Sequence, residues 1–187
     1  MKDEELLIQK AKQGDERAFG SLYDTNLSPI YRFIFLRVGR KEDAEDITQK
    51  VFMNAWENIG HFEFKGFPFS SWLYRIASNA VIDYYRTWKG DTDIEAVPEE
   101  YFSETPKEDE RIDTAFNLTH VRAALAKLEP DQQNVVIMKF ISERSNKEIA
   151  ETLGKSEGAI RVIQHRALKQ LKAILDEGPS HHTTEEA

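Results

Sequence analysis

The chain has 187 residues, 40% of them hydrophobic, no cysteine and a formal net charge of −8. That is enough apolar material for one ordinary domain or two small ones, and the lack of cysteine excludes a disulfide framework and a thiolate zinc site. No run approaches the roughly 18 apolar residues of a membrane span. The charged start MKDEELLIQK lacks the apolar segment of a secretory leader, so the expectation is a soluble, cytoplasmic protein with no membrane insertion.

The first 90 residues are electrically balanced, and the acidity is concentrated in residues 91–115 (net −8) and in the last twelve residues (net −4), whereas residues 116–175 carry net +4. A local basic face can engage phosphate whatever the total, although the total disfavours tight, indiscriminate DNA binding by the free chain.

Residues 3–13 predict a short amphipathic helix using Leu6, Leu7 and Ala11, ended by Gly14. Asp15 caps a second helix with Ala18, Phe19, Leu22 and Tyr23 on one side. A third, from about Ser28 to Val38, has Pro29 at its first position and Gly39 at its end, with Ile30, Phe33, Ile34 and Val38 inward. The next helix is DAEDITQKVFMNAWENI, Asp43 to Ile59, capped by Asp43. Its buried stripe is Ala44, Ile47, Val51, Ala55 and Ile59, and Asp46, Gln49, Lys50 and Glu57 stay exposed. Phe52 and Trp56 form an aromatic ridge beside that stripe, readable as core packing or as a contact surface.

The segment His61–Phe69, HFEFKGFPF, sets four phenylalanines among a glycine, a proline and a lysine. Aromatics on such a loop serve as core plugs or as a stacking platform for an extruded base. Ser70 or Ser71 then caps a long helix to about Trp88, buried through Trp72, Leu73, Ile76, Ala80, Val81 and Tyr84. Arg75, Asn79, Asp83 and Arg86 line another face, either a strand-reading ladder or solvated surface. From Gly90 to about Arg111 the sequence is acidic, has two prolines and shows no period, so it reads as a flexible linker.

The second domain starts near Asp113, with Leu118, Val121, Leu125 and Leu128 on one face. Pro130 opens a further helix burying Val135, Met138, Ile141 and part of Phe140. From Ser145 the chain reads SNKEIAETLGKSEGAIRVIQHRALKQLKAIL. Ser145 and Glu148 make a capping box, Gly154 suits a helix C-terminus, and Ser156 caps a second helix with Ile160, Ala167, Leu168, Leu171 and Leu175 inward. Arg161, His165 and Arg166 occupy mostly the opposite face. A short helix, a glycine turn and a basic second helix fit a helix-turn-helix, with an ordinary helical hairpin as the alternative. The fold class is therefore all-α: two small helical domains joined by a flexible acidic linker, the second a four-helix domain ending in a helix-turn-helix. The domains span 1–89 and 113–175, the linker 90–112 and a disordered tail 176–187.

The motifs DAEDITQKVF…AW and FSSWLYRIASN, followed by LEPDQQNVVIMKF…EIAETLGKSEGAIR…HRAL, resemble the extracytoplasmic-function sigma factors, the small members of the sigma-70 family. The resemblance covers nearly the whole chain except linker and tail. It implies a promoter-specificity subunit, with core RNA polymerase and promoter DNA as partners and an anti-sigma factor as a usual regulator. It assigns core-polymerase contacts to Asp46, Gln49, Lys50 and Trp56, with Lys50 standing where an acid is more usual. It assigns the −10 element to Phe62, Phe64, Lys65, Phe67, Arg75, Asn79, Asp83 and Arg86, with Lys89 also near phosphate. The −35 element falls to Arg161, Val162, His165 and Arg166 on the recognition helix, with Ser145, Lys147 and Ser156 at the helix starts; Ile163 stands where a basic residue is common.

No catalytic constellation is present: there is no Gly-rich phosphate loop, and the five histidines are scattered at 61, 120, 165, 181 and 182. No enzyme activity, cofactor or metal is expected. The competing readings are a conventional helix-turn-helix regulator, which only the C-terminal part fits, and a degenerate sigma-like interaction module.

Overall fold

The computed structural model describes residues 2–89 and 121–176. The acidic segment, the tail and the start of the helix expected from Asp113 lie outside the described residues. Among those described, regular structure is entirely helical.

The first half is a bundle of α1 (Lys2–Lys12), α2 (Glu16–Val38), α3 (Lys41–Asn58) and α4 (Phe69–Lys89), with a 3-10 turn at Ile59–His61. Asp15 caps α2 as expected, its carboxylate accepting the N–H groups of Arg17 and Ala18 at 3.0 and 3.1 Å. The two helices expected across residues 15–38 are one, with Pro29 inside it. A proline in a helix interior costs about 3 kcal/mol, but Leu22 and Asn26 before it and Ile30, Phe33 and Ile34 after it are all buried on one face. Burial of each large apolar chain returns about 1.5–3 kcal/mol, so packing on both sides holds the helix through the proline.

Gly39 ends α2 at φ +83°, a conformation that demands glycine; the one group a Cβ would crowd is the end of the Arg122 side chain, which can move aside. α3 starts earlier than expected, with Arg40 rather than Asp43 at its N-cap. Asp43 sits in the first turn and accepts the Tyr84 hydroxyl at 2.8 Å. Burial, and then that hydrogen bond, push the Tyr84 phenol well above its usual range. Similarly, Ser70 and Ser71 are buried within α4 instead of capping it, because Phe69 at the helix start is drawn fully into the core.

In the second half, residues 121–126 are helical and lead into α5 (Pro130–Val136), a π turn at Ile137–Ile141, α6 (Asn146–Leu153) and α7 (Glu157–Asp176). The Gln132 side chain accepts the Glu129 N–H at 3.0 Å, closing the start of α5. Its core is Leu125, Leu128, Val135, Ile137, Met138, Ile149, Ile160 and Ala167. Leu6, Val121, Leu168 and Leu175, expected inward, are exposed, as is Phe140. In α1 Ile8 is buried together with the expected Ala11. Along α7, Ile160 and Ala167 are buried, and Leu171 and Ile174 pack against the core.

The two halves touch. α4 packs on α6, and α2 on the π turn. A buried polar node joins them: Asn134 of α5 accepts from the Arg37 guanidinium of α2 and donates to Ser78 Oγ of α4 at 2.9 Å. Burial pushes Arg37 down to about 10, which leaves it cationic at neutral pH.

Candidate functional site

Three surfaces carry the candidate residues. The first is an open groove of about 900 Å3 between α2 and α3. Along α2 the buried stripe is flanked by a second one at four-residue spacing, Phe19, Tyr23, Leu27 and Tyr31, which lines this groove with Phe52, Met53 and Trp56 of α3. Phe19 meets Trp56 edge-on at 4.9 Å, and Tyr23 meets Phe52 likewise at 4.6 Å. Gln49, Thr48, Asp24 and Glu45 supply its polar margin. Of the four expected polymerase contacts, Gln49 and Trp56 line the groove; Asp46 and Lys50 are exposed on α3 outside the lining.

The second surface is a cleft of about 180 Å3 built by the loop 61–69 and the start of α4. His61, Glu63, Lys65, Phe67, Trp72 and Arg75 line it, and Glu151 reaches in from α6. The phenylalanines divide both ways. Phe69 is fully buried, and Phe62 is only 7% exposed, packed against Phe69 at 5.4 Å and Trp72 at 5.1 Å. Phe62 edges the cleft but is a core plug, which corrects its expected place as an open stacking surface. The Lys12 ammonium further anchors it by donating to the Phe62 carbonyl at 2.9 Å. Phe64 and Phe67 are half-buried and Lys65 is exposed; Phe67 lines the cleft with the Lys147 ammonium 5.5 Å from its ring centre, whereas Phe64 packs against the core outside the lining. On α4, Asn79, Asp83 and Arg86 follow Arg75 on an exposed face, with Arg86 paired to Asp83 at 2.9 Å. Both side chains of that pair are exposed, so it holds the guanidinium only weakly.

The third is the helix-turn-helix. Ser145 Oγ accepts the Glu148 N–H at 3.2 Å, and Glu148 accepts the Ser145 N–H at 2.8 Å, so the expected capping box is complete. Burial works to raise the Glu148 carboxyl, but hydrogen bonds from Ser145 and Arg144 outweigh it and hold the group below its usual range. Gly154 ends α6 at φ +63°, and Ser156 Oγ caps α7 by accepting the Ala159 N–H at 3.1 Å. Arg161, Val162, His165 and Arg166 are all exposed on α7, with Arg161 held by Glu157 at 3.5 Å. Ser145, Lys147 and Ser156 are exposed as well.

Residues 22–89 match the family Sigma-70 region 2, and residues 124–173 match Sigma-70, region 4. The chain is 35% identical over 172 residues to the ECF RNA polymerase sigma factor BldN of Streptomyces coelicolor, an alignment covering 90% of this chain and 64% of BldN. It is 32% identical over 178 residues to the ECF RNA polymerase sigma factor SigW of Bacillus subtilis, covering 90% of this chain and 94% of SigW. The chain belongs to the ECF sigma factors of the sigma-70 family. Among solved structures it is similar to CnrH in complex with the cytosolic domain of CnrY, with a TM-score of 0.74 and 25% identity over 95% of this chain and 99% of that one.

ECF sigma factors are transcription-initiation factors and not enzymes, and they direct promoter-specific initiation with RNA polymerase. In this sigma factor no described helix is long and apolar enough to cross a membrane. Sequence reasoning missed the α2 wall of the groove, because Phe19 and Tyr23 were grouped with the buried Leu22. The four-residue recurrence from Phe19 to Tyr31 was the available signal. It also missed Glu151, which enters the cleft only through tertiary contact.

Proposed function

We propose that residues 1–89 of this sigma factor bind core polymerase and read the −10 element, and that residues 113–175 read the −35 element, with 90–112 as the connection and 176–187 as a tail. What carries this reading is one chain bearing both an open aromatic groove and an exposed basic recognition helix, on segments matching regions 2 and 4.

The groove takes an apolar helical surface of the polymerase, with Trp56 as the anchor and Gln49, Asp46 and Lys50 at the polar rim. Large aromatics in a pocket dominate such interfaces, while rim charges contribute little. The loop cleft takes an unstacked base of the opened promoter strand. Phe67 offers its ring at the cleft and Phe64 stands on the same loop, Arg75 and Asn79 offer hydrogen bonds, and Lys65 and Arg86 offer charge to the backbone. Trapping that base offsets part of the cost of unpairing it. Arg161, Val162, His165 and Arg166 face the major groove of the upstream duplex, where a bidentate arginine–guanine contact discriminates by about 1–3 kcal/mol. Ser145, Lys147 and Ser156 set the register on phosphate. The protein works in the cytoplasm, with an anti-sigma factor as its regulatory partner; the structure of CnrH with the cytosolic domain of CnrY supports that assignment.

The test is transcription in vitro with core polymerase on fragmented genomic DNA, mapping 5′ ends with and without this chain. New starts sharing two upstream elements are expected. Failure to bind core rejects the reading in favour of a conventional helix-turn-helix regulator.

A further inference from the structure

The loop 61–69 leaves the bundle and returns to it at nearly the same place. Phe62 and Phe69 are both buried, and their rings meet at 5.4 Å with Trp72 against each. The residues between them therefore make an excursion, turned at Gly66 with φ +78°. Among the described residues, no backbone–backbone hydrogen bond involves 63–67, so the excursion has no ladder of its own to fix it. Its two ends are held by α1 instead. The Lys12 ammonium donates to the Phe62 carbonyl at 2.9 Å, and the Glu4 carboxylate accepts the Phe69 N–H at 3.2 Å. That N–H opens α4 and has no acceptor within the helix. Ile8 and Ala11, which lie between Glu4 and Lys12, are buried and fix α1 to the bundle. α1 itself lies ahead of residues 22–89, the stretch matching Sigma-70 region 2.

We propose that α1 positions the −10 reader, with Lys12 and Glu4 holding the loop in the one orientation that turns Glu63, Lys65 and Phe67 into the cleft. Successive side chains of an extended chain point opposite ways. Here Glu63, Lys65 and Phe67 line the cleft, whereas the rings of Phe62 and Phe64 go to the core. Rotating the Phe62 peptide would exchange the two sets. Its carbonyl is the last backbone group before the excursion, so the bond from Lys12 fixes that rotation. Glu4 fixes where the excursion ends. A loop already ordered in this way does not lose its own freedom when it takes up a base. Lys12 and Glu4 touch no base; they are positioning residues that act through Lys65 and Phe67. This inference rests on the reading of the loop cleft as the base site.

The chain has no cysteine, so spin labels at Glu63→Cys on the loop and Lys41→Cys at the start of α3, both exposed, report the loop's place without background. Lys12→Met keeps the apolar stem and removes the donor, Lys12→Arg restores a donor, and Lys10→Met makes the same charge change at an exposed position of α1. The full-length protein is expected to give one narrow distance distribution. It should broaden or shift in Lys12→Met and in Glu4→Ala, and stay as in wild type in Lys12→Arg and Lys10→Met. In transcription with core polymerase at the mapped promoters, Lys12→Met should keep core binding within about twofold of wild type and flatten the preference among bases at one −10 position by about two- to tenfold, the range of one net hydrogen bond. Lys12→Arg should restore that preference. An unchanged distribution in Lys12→Met overturns the clamp. A broadened one with base preference intact overturns its part in reading. Core binding and activity at every promoter falling together, with no preference flattened, would make Lys12 a residue of general stability and overturn positioning. The distance arm involves no DNA, so a wild type that directs no promoter-specific starts counts against the cleft as the base site, while the distances still decide whether α1 holds the loop.

Discussion

Asn134→Ala should cost this protein more than any other single polar truncation in the described structure. Asn134 is 1% exposed and satisfies both the Arg37 guanidinium and Ser78. Arg37 is 7% exposed, and its Nε already has no hydrogen-bond partner, so removing the amide strips a buried cation of its principal neutral acceptor. A hydrogen bond to a charged group contributes about 1.5–3 kcal/mol and a neutral one about 0.5–1.5 kcal/mol, giving a loss of about 2–4 kcal/mol. Ser78→Ala removes only the neutral bond and should cost about 1 kcal/mol. Asn134→Asp keeps an acceptor for Arg37 and lets Ser78 donate instead, so it should remain within about 1 kcal/mol of wild type. Urea unfolding at pH 7, followed by tryptophan fluorescence and circular dichroism, gives the three values and shows whether the halves separate before they unfold. An Asn134→Ala loss below about 0.5 kcal/mol, the range of an ordinary surface substitution, would refute the claim that this node is desolvated and joins the halves.

Tyr74→Phe should be neutral or raise stability by about 1 kcal/mol, because the hydroxyl is buried without a partner while the ring keeps its edge contact with Phe33 at 5.2 Å; a clear loss in the same urea assay would expose a hidden partner. Ser145→Ala should cost about 1 kcal/mol by opening the capping box. Because the folded state depresses the Glu148 carboxyl, its contribution is present above the ordinary carboxylate range and is lost as pH falls through the lower folded value. The wild type should therefore lose stability over that acidic window more steeply than Ser145→Ala, as thermal melts across pH would read. Trp56→Ala should weaken core-polymerase binding by about 30- to 1000-fold, the range of a hot-spot anchor worth about 2–4 kcal/mol, whereas Lys50→Ala, outside the groove lining, should change it less than about threefold at physiological salt; fluorescence titration of labelled protein with core distinguishes the two.

Local chemistry was legible from the sequence wherever a few neighbouring residues settle it. Asp15, Ser145, Glu148, Gly154 and Ser156 act as caps because a cap is satisfied within three or four residues of itself. The helix-turn-helix and its exposed basic face followed from those caps and the apolar period. The fused α2 did not follow: Pro29 is a local stop signal, and only the burial of residues on both sides of it overrides that signal. The caps assigned to Asp43 and Ser70 failed for a related reason, since Tyr84 claims Asp43 and the burial of Phe69 carries the start of α4 back past both serines.

The candidate sites divide along the same line. Residue types and order identified which segments carry the chemistry, since arginine, asparagine and aromatic rings on α4, the loop and α7 are written in the chain. Which rings are open was settled by packing: Phe62 and Phe69 went to the core and Phe64 packs against it, while Phe67 stayed at the cleft. The α2 wall of the groove and the presence of Glu151 beside Arg75 come from pairs of elements distant in sequence. A carboxylate 76 positions along the chain from a guanidinium leaves no local pattern, because only the packing of α6 on α4 brings them together.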